Sequence, residues 1–275
     1  DATAHAMTTI STGGFANYDA SFGVFAGPME YVAAIFMILA ALPFVRYVQL
    51  INGNPVALRR DPQVRGFVMT IFVLVILLVV LLEEGVHLGN EQAFREALFN
   101  VTSIISGTGF SSVDYMQWGS FAVALFFFMG LIGGCAGSTA CSVKIFRYQL
   151  LFASIRAQLR RIRSPHGILT PRYDGRPVTE EVLASVMSFF VFFIVTLGLV
   201  SVALSMTGLD FVTSISGAAT ALANVGPGLG DIIGPAGNFA TLNDPAKWIL
   251  TLAMLLGRLE LMVVYVIFTV KFWRA

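Results

Sequence analysis

Residues 106–114 read Ser-Gly-Thr-Gly-Phe-Ser-Ser-Val-Asp, and residues 11–19 read Ser-Thr-Gly-Gly-Phe-Ala-Asn-Tyr-Asp. A more diverged copy, Asn-Val-Gly-Pro-Gly-Leu-Gly-Asp, occupies 224–231. Aligned on Gly14, Gly109 and Gly226, the aspartates Asp19, Asp114 and Asp231 fall in register. Each copy stands between a short, weakly polar stretch and a long apolar one, so the chain is organised as a repeat.

The composition says where those repeats sit. The 275 residues are 56% hydrophobic and 12% charged, against about 25% charged in a soluble domain. This predicts an integral membrane protein. A net charge of +1 carries no information about partners, but its distribution does. Of the 17 Lys and Arg, all but Arg95, Lys247 and Arg258 lie in 46–65, in 144–176, or at Lys271 and Arg274. The other side collects Asp19, Glu30, Glu83, Glu84, Glu91, Glu96, Asp114, Asp210, Asp231 and Asp244. By the positive-inside rule the basic loops are cytoplasmic, and all three glycine motifs open outward. The chain lacks an initial Met and a signal peptide, and is expected to begin inside a larger protein.

A spanning helix needs about 20 apolar residues. Five stretches qualify: Tyr31–Val45 with a kink at Pro43, Gly66–Leu82, Gly119–Val143, Val182–Met206, and Trp248–Val270 interrupted at Gly257–Glu260. Three more are too short or too polar to cross: the residues before Ser11, Gln92–Ser106 and Asp210–Asn224. Roughly 14 helical residues reach about 20 Å, which is part of the way through a bilayer. A half-helix followed by a glycine turn reads as a re-entrant pore loop, allowed at membrane depth only where it is buried or lines water. The unit is helix, half-helix, glycine turn, helix. Complete copies run over 66–147 and 181–273, and 1–51 is the second part of another.

Glycine reaches left-handed backbone angles at little cost, so carbonyls can be turned toward one point. Carbonyls around an axis replace the hydration shell of a cation. Each half-helix also directs the partly negative end of its dipole there. Asp19, Asp114 and Asp231 would ring the outer mouth. Close helix packing through glycine is the alternative, but packing glycines need neither Ser/Thr neighbours nor an aspartate in fixed register.

Gly133–Ser142 lies inside a predicted span, and its glycines and small residues should unwind the helix. One reading is a close-packed crossing; the other is a flexible loop, with Gly133, Gly134, Gly137, Ser138 and Thr139, that gates the pore. Arg258 stands near the centre of a span, two residues from Glu260. Such charges are paired or functional, so a structural bridge and a cation facing the ion path both stay open. The basic helix Arg156–Arg163 suits lipid headgroups or a cytoplasmic subunit. Cys135 and Cys141 have neither redox nor zinc spacing and read as buried thiols. His5, His87 and His166 are scattered and suggest no metal site. No nucleophile–base pair, phosphate loop or nucleic-acid pattern is visible, so neither an enzyme nor a nucleic-acid partner is expected.

Repeated helix–pore loop–helix units with Thr-Gly-Gly-Phe, Gly-Thr-Gly-Phe and Val-Gly-Pro-Gly turns, and a glycine-rich break, resemble the Trk, Ktr and HKT potassium transporters. The resemblance covers essentially the whole chain and is strongest to the TrkH-type membrane subunit of bacterial Trk systems. It implies an all-α membrane fold of K+-channel-like units around a pseudo-four-fold pore. It implies that 1–51 is the end of unit two, 52–65 a cytoplasmic loop, 66–147 unit three, 148–180 a basic linker and 181–275 unit four. The implied filter comprises Thr12, Gly13 and Gly14; Gly107, Thr108 and Gly109; Asn224, Val225 and Gly226. The implied gate comprises the loop and Arg258. K+ would be the transported ion, with no covalent cofactor. The implied setting is the bacterial inner membrane, with a homodimer, membrane lipid and a cytosolic ring of subunits that bind NAD, ATP or ADP. The implied function is K+ uptake through a gated filter; the alternative is coupled transport of K+ with H+ or Na+. Two departures stand out. Pro227 replaces the Phe15 and Phe110 of the other copies, and the first filter is absent.

Overall fold

The computed structural model describes residues 1–83, 89–164, 170–259, 261–267, 269–270 and 272–274. Glu84, His87, His166, Glu260 and Lys271, named above, lie outside them. Apart from two pairs of two-residue strands, the described regular structure is helical.

The first segment comprises α1 (Ala2–Ile10), a 3-10 turn at Ser21–Phe25, α2 (Pro28–Ala40), α3 (Phe44–Ile51) and α4 (Pro55–Arg60). Between α2 and α3 the chain bends by 91°. Pro43 supplies the reason, since it has no N–H to continue the helical ladder. Next come α5 (Pro62–Leu81), α6 (Asn90–Ser106), a 3-10 turn at Tyr115–Trp118 and α7 (Ser120–Gly130). Asp61 caps α5 by accepting from the amides of Gln63 at 2.8 Å and Val64 at 3.4 Å, with Pro62 at the first helical position, where no N–H is needed. α6 ends on Gly107 in the left-handed conformation, φ +73°, the usual C-terminal stop.

After α7 the chain leaves the helix. β1 (Ile132–Gly133) pairs in parallel with β2 (Val143–Lys144), pinching 134–142 into a loop before α8 (Ile145–Arg163). A small antiparallel hairpin, β3 (Arg172–Tyr173) and β4 (Arg176–Pro177), precedes the last segment. That segment holds α9 (Glu180–Ser205), α10 (Phe211–Ala223), α11 (Gly230–Ile233), α12 (Asp244–Arg258) and α13 (Met262–Ile267).

The five apolar stretches therefore differ in kind. Among the described residues, only α5 and α9 are continuous helices long and apolar enough to cross a membrane, with α2 and α3 a third if the bent pair counts as one. The remaining two break at Gly130 and Arg258. Hydropathy reports the apolar length and is blind to whether the helix is unbroken.

α5 packs on α6, α9 on α10, and α12 on α10, while α2 packs on both α1 and α6. The half-helices α6 and α10 are accordingly the most enclosed elements, with Ala97, Phe99, Val101, Ala218 and Ala223 fully buried. α5 and α9 turn Val68, Phe72, Val73, Val191, Ile194, Val195 and Leu199 outward. An apolar outer face of this width is what a lipid environment demands.

Candidate functional site

The three glycine turns, far apart in sequence, meet in space. A methyl group placed on Gly14 would lie 1.8 Å from the Thr108 carbonyl oxygen. One placed on Gly109 would lie 1.9 Å from the Val225 carbonyl oxygen. One on Gly226 would lie 3.7 Å from the Gly109 Cα. Each turn is thus seated against the next, in the order first, second, third.

Their backbones share a pattern. Thr12 and Gly14 have φ of +49° and +66°, Gly107 and Gly109 +73° and +85°, Asn224 and Gly226 +52° and +124°. Gly13, Thr108 and Val225, between them, do not. Alternating the sign of φ brings successive carbonyls toward one side of the chain. The amides point back into the half-helices: Gly13 N donates to Thr8 O at 2.8 Å, Thr108 N to Ser103 O at 2.9 Å, and Val225 N to Thr220 O at 3.1 Å. Among the described residues, no hydrogen bond is accepted by the carbonyls of Thr12, Gly13, Gly14, Gly107, Thr108, Gly109, Asn224, Val225 or Gly226. Nine peptide oxygens are thus without a donor among the described residues.

Side chains close the back of this arrangement. Phe110 is fully buried among Phe22, Phe99, Ala33, Ala34 and Met37, and His5 stacks on it at 5.8 Å. The exposed Phe15 is its counterpart in the first copy. α12 presses on the third turn, for a methyl on Gly257 would meet Leu222 O at 1.9 Å, and Asn224 Nδ2 donates to Met254 O at 3.0 Å.

The three aspartates are not equivalent. Asp19 and Asp231 are exposed. The Asp114 carboxylate caps the 3-10 turn, accepting from Met116 N at 3.1 Å and Gln117 Nε2 at 3.3 Å. Sequence register alone could not distinguish them.

The loop 134–142 lies against the turns and is stitched on several sides. Thr12 Oγ1 donates to Thr139 O at 2.9 Å, and Thr139 Oγ1 donates to Ile10 O and Ala40 O, each at 3.1 Å. Cys141 packs on the second turn, its amide nitrogen 3.1 Å from a methyl placed on Gly107. Phe44 N, freed by the Pro43 break, donates to Gly137 O at 2.9 Å, and Cys135 N donates to Ala41 O at 3.0 Å. Two breaks in helical structure satisfy each other, as non-helical backbone must where water is scarce. Gly133 and Gly134 sit where the loop folds on itself; a methyl on Gly133 would meet Cys141 O at 2.1 Å. Ser138 Oγ donates to Cys135 O at 2.7 Å. Cys135 and Cys141 are both buried and free.

Arg258 comes to this loop from α12, its guanidinium donating to Cys141 Sγ. It helps line a cavity of about 300 Å³ with Gly137–Ser142, Lys144, Arg147 and Gly257. Arg147 also stacks its guanidinium over Phe189 at 3.9 Å. From the other direction, Gln63 Oε1 accepts from Ala136 N at 2.8 Å. Gln149 Nε2 donates to Pro62 O at 2.7 Å, and Tyr173 OH donates to Gln149 Oε1 at 2.9 Å. Hydrogen bonds so run from the β3–β4 hairpin to the loop, by way of residues that sequence inspection did not single out. Among the described residues no cluster of His, Cys, Asp or Glu could hold a metal ion.

The comparisons with known proteins agree with this architecture. Residues 1–274 match the family model TrkH, described as a cation transport protein. The chain is 45% identical over 276 residues to the Trk system potassium uptake protein TrkI of Halomonas elongata, covering 100% of the chain and 56% of that relative. It is 34% identical over 277 residues to the Trk system potassium uptake protein TrkH of Escherichia coli K12, covering 100% of the chain and 57% of the relative. The crystal structure of the potassium transporter TrkH from Vibrio parahaemolyticus superposes with a TM-score of 0.92 at 31% identity, over 99% of this chain and 59% of that one. The chain thus spans somewhat more than half the length of these relatives, which are transport proteins rather than enzymes. On the extent of the family match and on shared helical pore-loop architecture, the chain belongs to the TrkH cation transport protein family.

Proposed function

We propose that this chain supplies three walls of a K+-selective filter and the loop that gates it, within a protein that takes up potassium. The observation that carries the reading is the set of nine unengaged carbonyls on three interlocked turns. A dehydrated cation is stabilised by such oxygens, supplied without any side-chain charge. The negative ends of α1, α6 and α10 add to the attraction. Thr12, Gly13 and Gly14 form one wall, Gly107, Thr108 and Gly109 the second, and Asn224, Val225 and Gly226 the third. The fourth comes from outside these residues. Asp19 and Asp231, with Asp114 less freely, concentrate cations at the entrance.

The gate in this reading is Gly133–Ser142, held closed by Thr12, Gln63 and Arg258. A positive charge on the ion path would oppose permeation, and the tether of Arg258 to Cys141 in the loop supports that role. The units are 1–51, 66–147 and 181–275, joined by 52–65 and 148–180. The basic segments face the cytoplasm at the bacterial inner membrane, where a second copy, lipid headgroups and a nucleotide-binding ring are the proposed partners.

The test uses full-length protein in liposomes. Gly109→Ser should abolish the preference for K+ over Na+, and an unchanged preference in folded protein would sink the filter. Deleting part of 133–142 should raise flux, whereas unchanged or lower flux counts against the gate. A current that reverses at the K+ equilibrium potential separates a channel from coupled transport with H+ or Na+.

A further inference from the structure

Six residues ahead of each filter glycine stands a hydroxyl: Thr8, Ser103 and Thr220 ahead of Gly14, Gly109 and Gly226. All three lie in the last turn of their half-helix. Ser103 is fully buried, Thr220 buried and Thr8 half-buried. In each copy this residue holds the turn with its main chain, accepting at its carbonyl from Gly13 N, from Thr108 N and Gly109 N, or from Val225 N. In each copy it also holds the turn with its side chain. Ser103 Oγ donates to Phe110 O at 2.6 Å, and Thr8 Oγ1 donates to Phe15 O at 3.0 Å. A helical Ser or Thr more commonly bonds back along its own helix, as Thr8 does in part to His5 O at 3.3 Å.

We propose that Thr8 and Ser103 are positioning residues that set where the first two rows of cation-facing carbonyls end, and that Thr220, at the matching place, leaves the third row open. The proposal rests on the filter reading above. In the first two copies the hydroxyl takes up the carbonyl one residue beyond the glycine, so the free row stops at Gly14 and at Gly109. The third copy is built differently. Pro227 follows the glycine, Gly226 opens to φ +124°, and Thr220 Oγ1 becomes an acceptor, receiving Gly226 N at 2.9 Å. Its hydroxyl no longer reaches the carbonyl beyond the glycine. Among the described residues Pro227 O accepts no hydrogen bond, so the third wall carries one more free oxygen at its outer end than its neighbours. The outermost cation position is therefore lopsided, drawn toward the third wall.

The experiment compares K+ and Na+ flux in full-length protein carrying Ser103→Ala or Ser103→Thr, with Gly109→Ser as the reference. Freeing Phe110 O extends the second row, and losing one hydrogen bond should lower the K+-over-Na+ ratio by about five-fold. Ser103→Thr should restore it, because Thr keeps the donor. A purely structural role would lower the amount of folded protein and leave the ratio untouched. If Ser103→Ala does not fold, Thr8→Val against Thr8→Ser decides by the same ratio, restored only by the hydroxyl that donates to Phe15 O. A wild-type ratio in Ser103→Ala, or in Thr8→Val where that pair decides, overturns the proposal while Gly109→Ser still loses selectivity. If Gly109→Ser also keeps its ratio, the filter reading falls with it.

Discussion

Replacing Gln63 by Leu removes one acceptor from the loop that the proposed gate depends on. Gln63 lies at the start of α5, where Asp61 holds its amide at 2.8 Å and is itself paired with Arg46 at 2.6 Å. From there Oε1 accepts from Ala136 N at 2.8 Å. Leu has a similar volume and no acceptor. A hydrogen bond of this kind contributes about 1 kcal/mol net, and an orphaned buried donor costs about 1–3 kcal/mol. Gln63 and Ala136 are both half-buried, so water reaches the amide and the lower figure applies. If the loop gives up this bond when it clears the path, the closed arrangement alone is weakened. The ratio of closed to open then falls about five-fold. The assay is K+ flux into liposomes containing full-length protein, at matched protein content and with thermal stability measured alongside. Flux several-fold above wild type, with the K+-over-Na+ ratio unchanged, is the expected outcome. Unchanged or reduced flux in a stable protein would mean that the bond persists in the conducting form, and that 133–142 does not move as a unit.

Asp210 caps α10, accepting from Thr213 N at 3.1 Å, and this bonding with Thr213 holds its carboxyl below the ordinary carboxylate range. Asp210→Ala should cost about 1 kcal/mol, read as a lower unfolding temperature at neutral pH, with Asp210→Asn recovering most of it. Because the folded pKa is depressed, the ionised carboxylate's stabilisation is complete above about pH 4 and fades as pH falls through the lowered value. Wild type and Asp210→Ala should therefore converge in acid, and a constant gap would refute the assignment. Gly257→Ala sets a methyl 1.9 Å from Leu222 O and 2.9 Å from Asn224 Nδ2, far inside contact distance. It should disturb the third turn and lower K+ selectivity if the proposed filter is right, whereas Gly198→Ala in α9, with open space around it, should not.

The features legible in the sequence were those that depend on local backbone chemistry. Gly14, Gly109 and Gly226 stood out because few other residues tolerate their φ. Pro43 and the Gly133–Gly137 run announced broken helices for the same reason. What escaped were contacts between distant segments. Nothing local links Gln63 to Ala136, Arg258 to Cys141, or Tyr173 to Gln149, and the β3–β4 hairpin lay unseen in a basic linker. The hydroxyls Thr8, Ser103 and Thr220 were within reach, since extending the glycine alignment six residues upstream finds all three. Asp114 is the converse case, a perfect register match whose carboxylate also caps a local turn, which the register could not foretell.

The seating of Gly14 and Gly109 against the carbonyls of the following copies has a consequence for which substitutions the chain can tolerate. With the turns closed on one another in this way, neither partner in a contact can change alone. A side chain gained at Gly14 is paid for at Thr108, and one gained at Gly109 at Val225. Mutational load is transferred from the copy that changes to the copy beside it. Even Pro227, the departure of the third turn, stands on this seam, its Cδ 3.1 Å from a methyl placed on Gly109. A substitution on the shared seam is therefore felt by two turns at once.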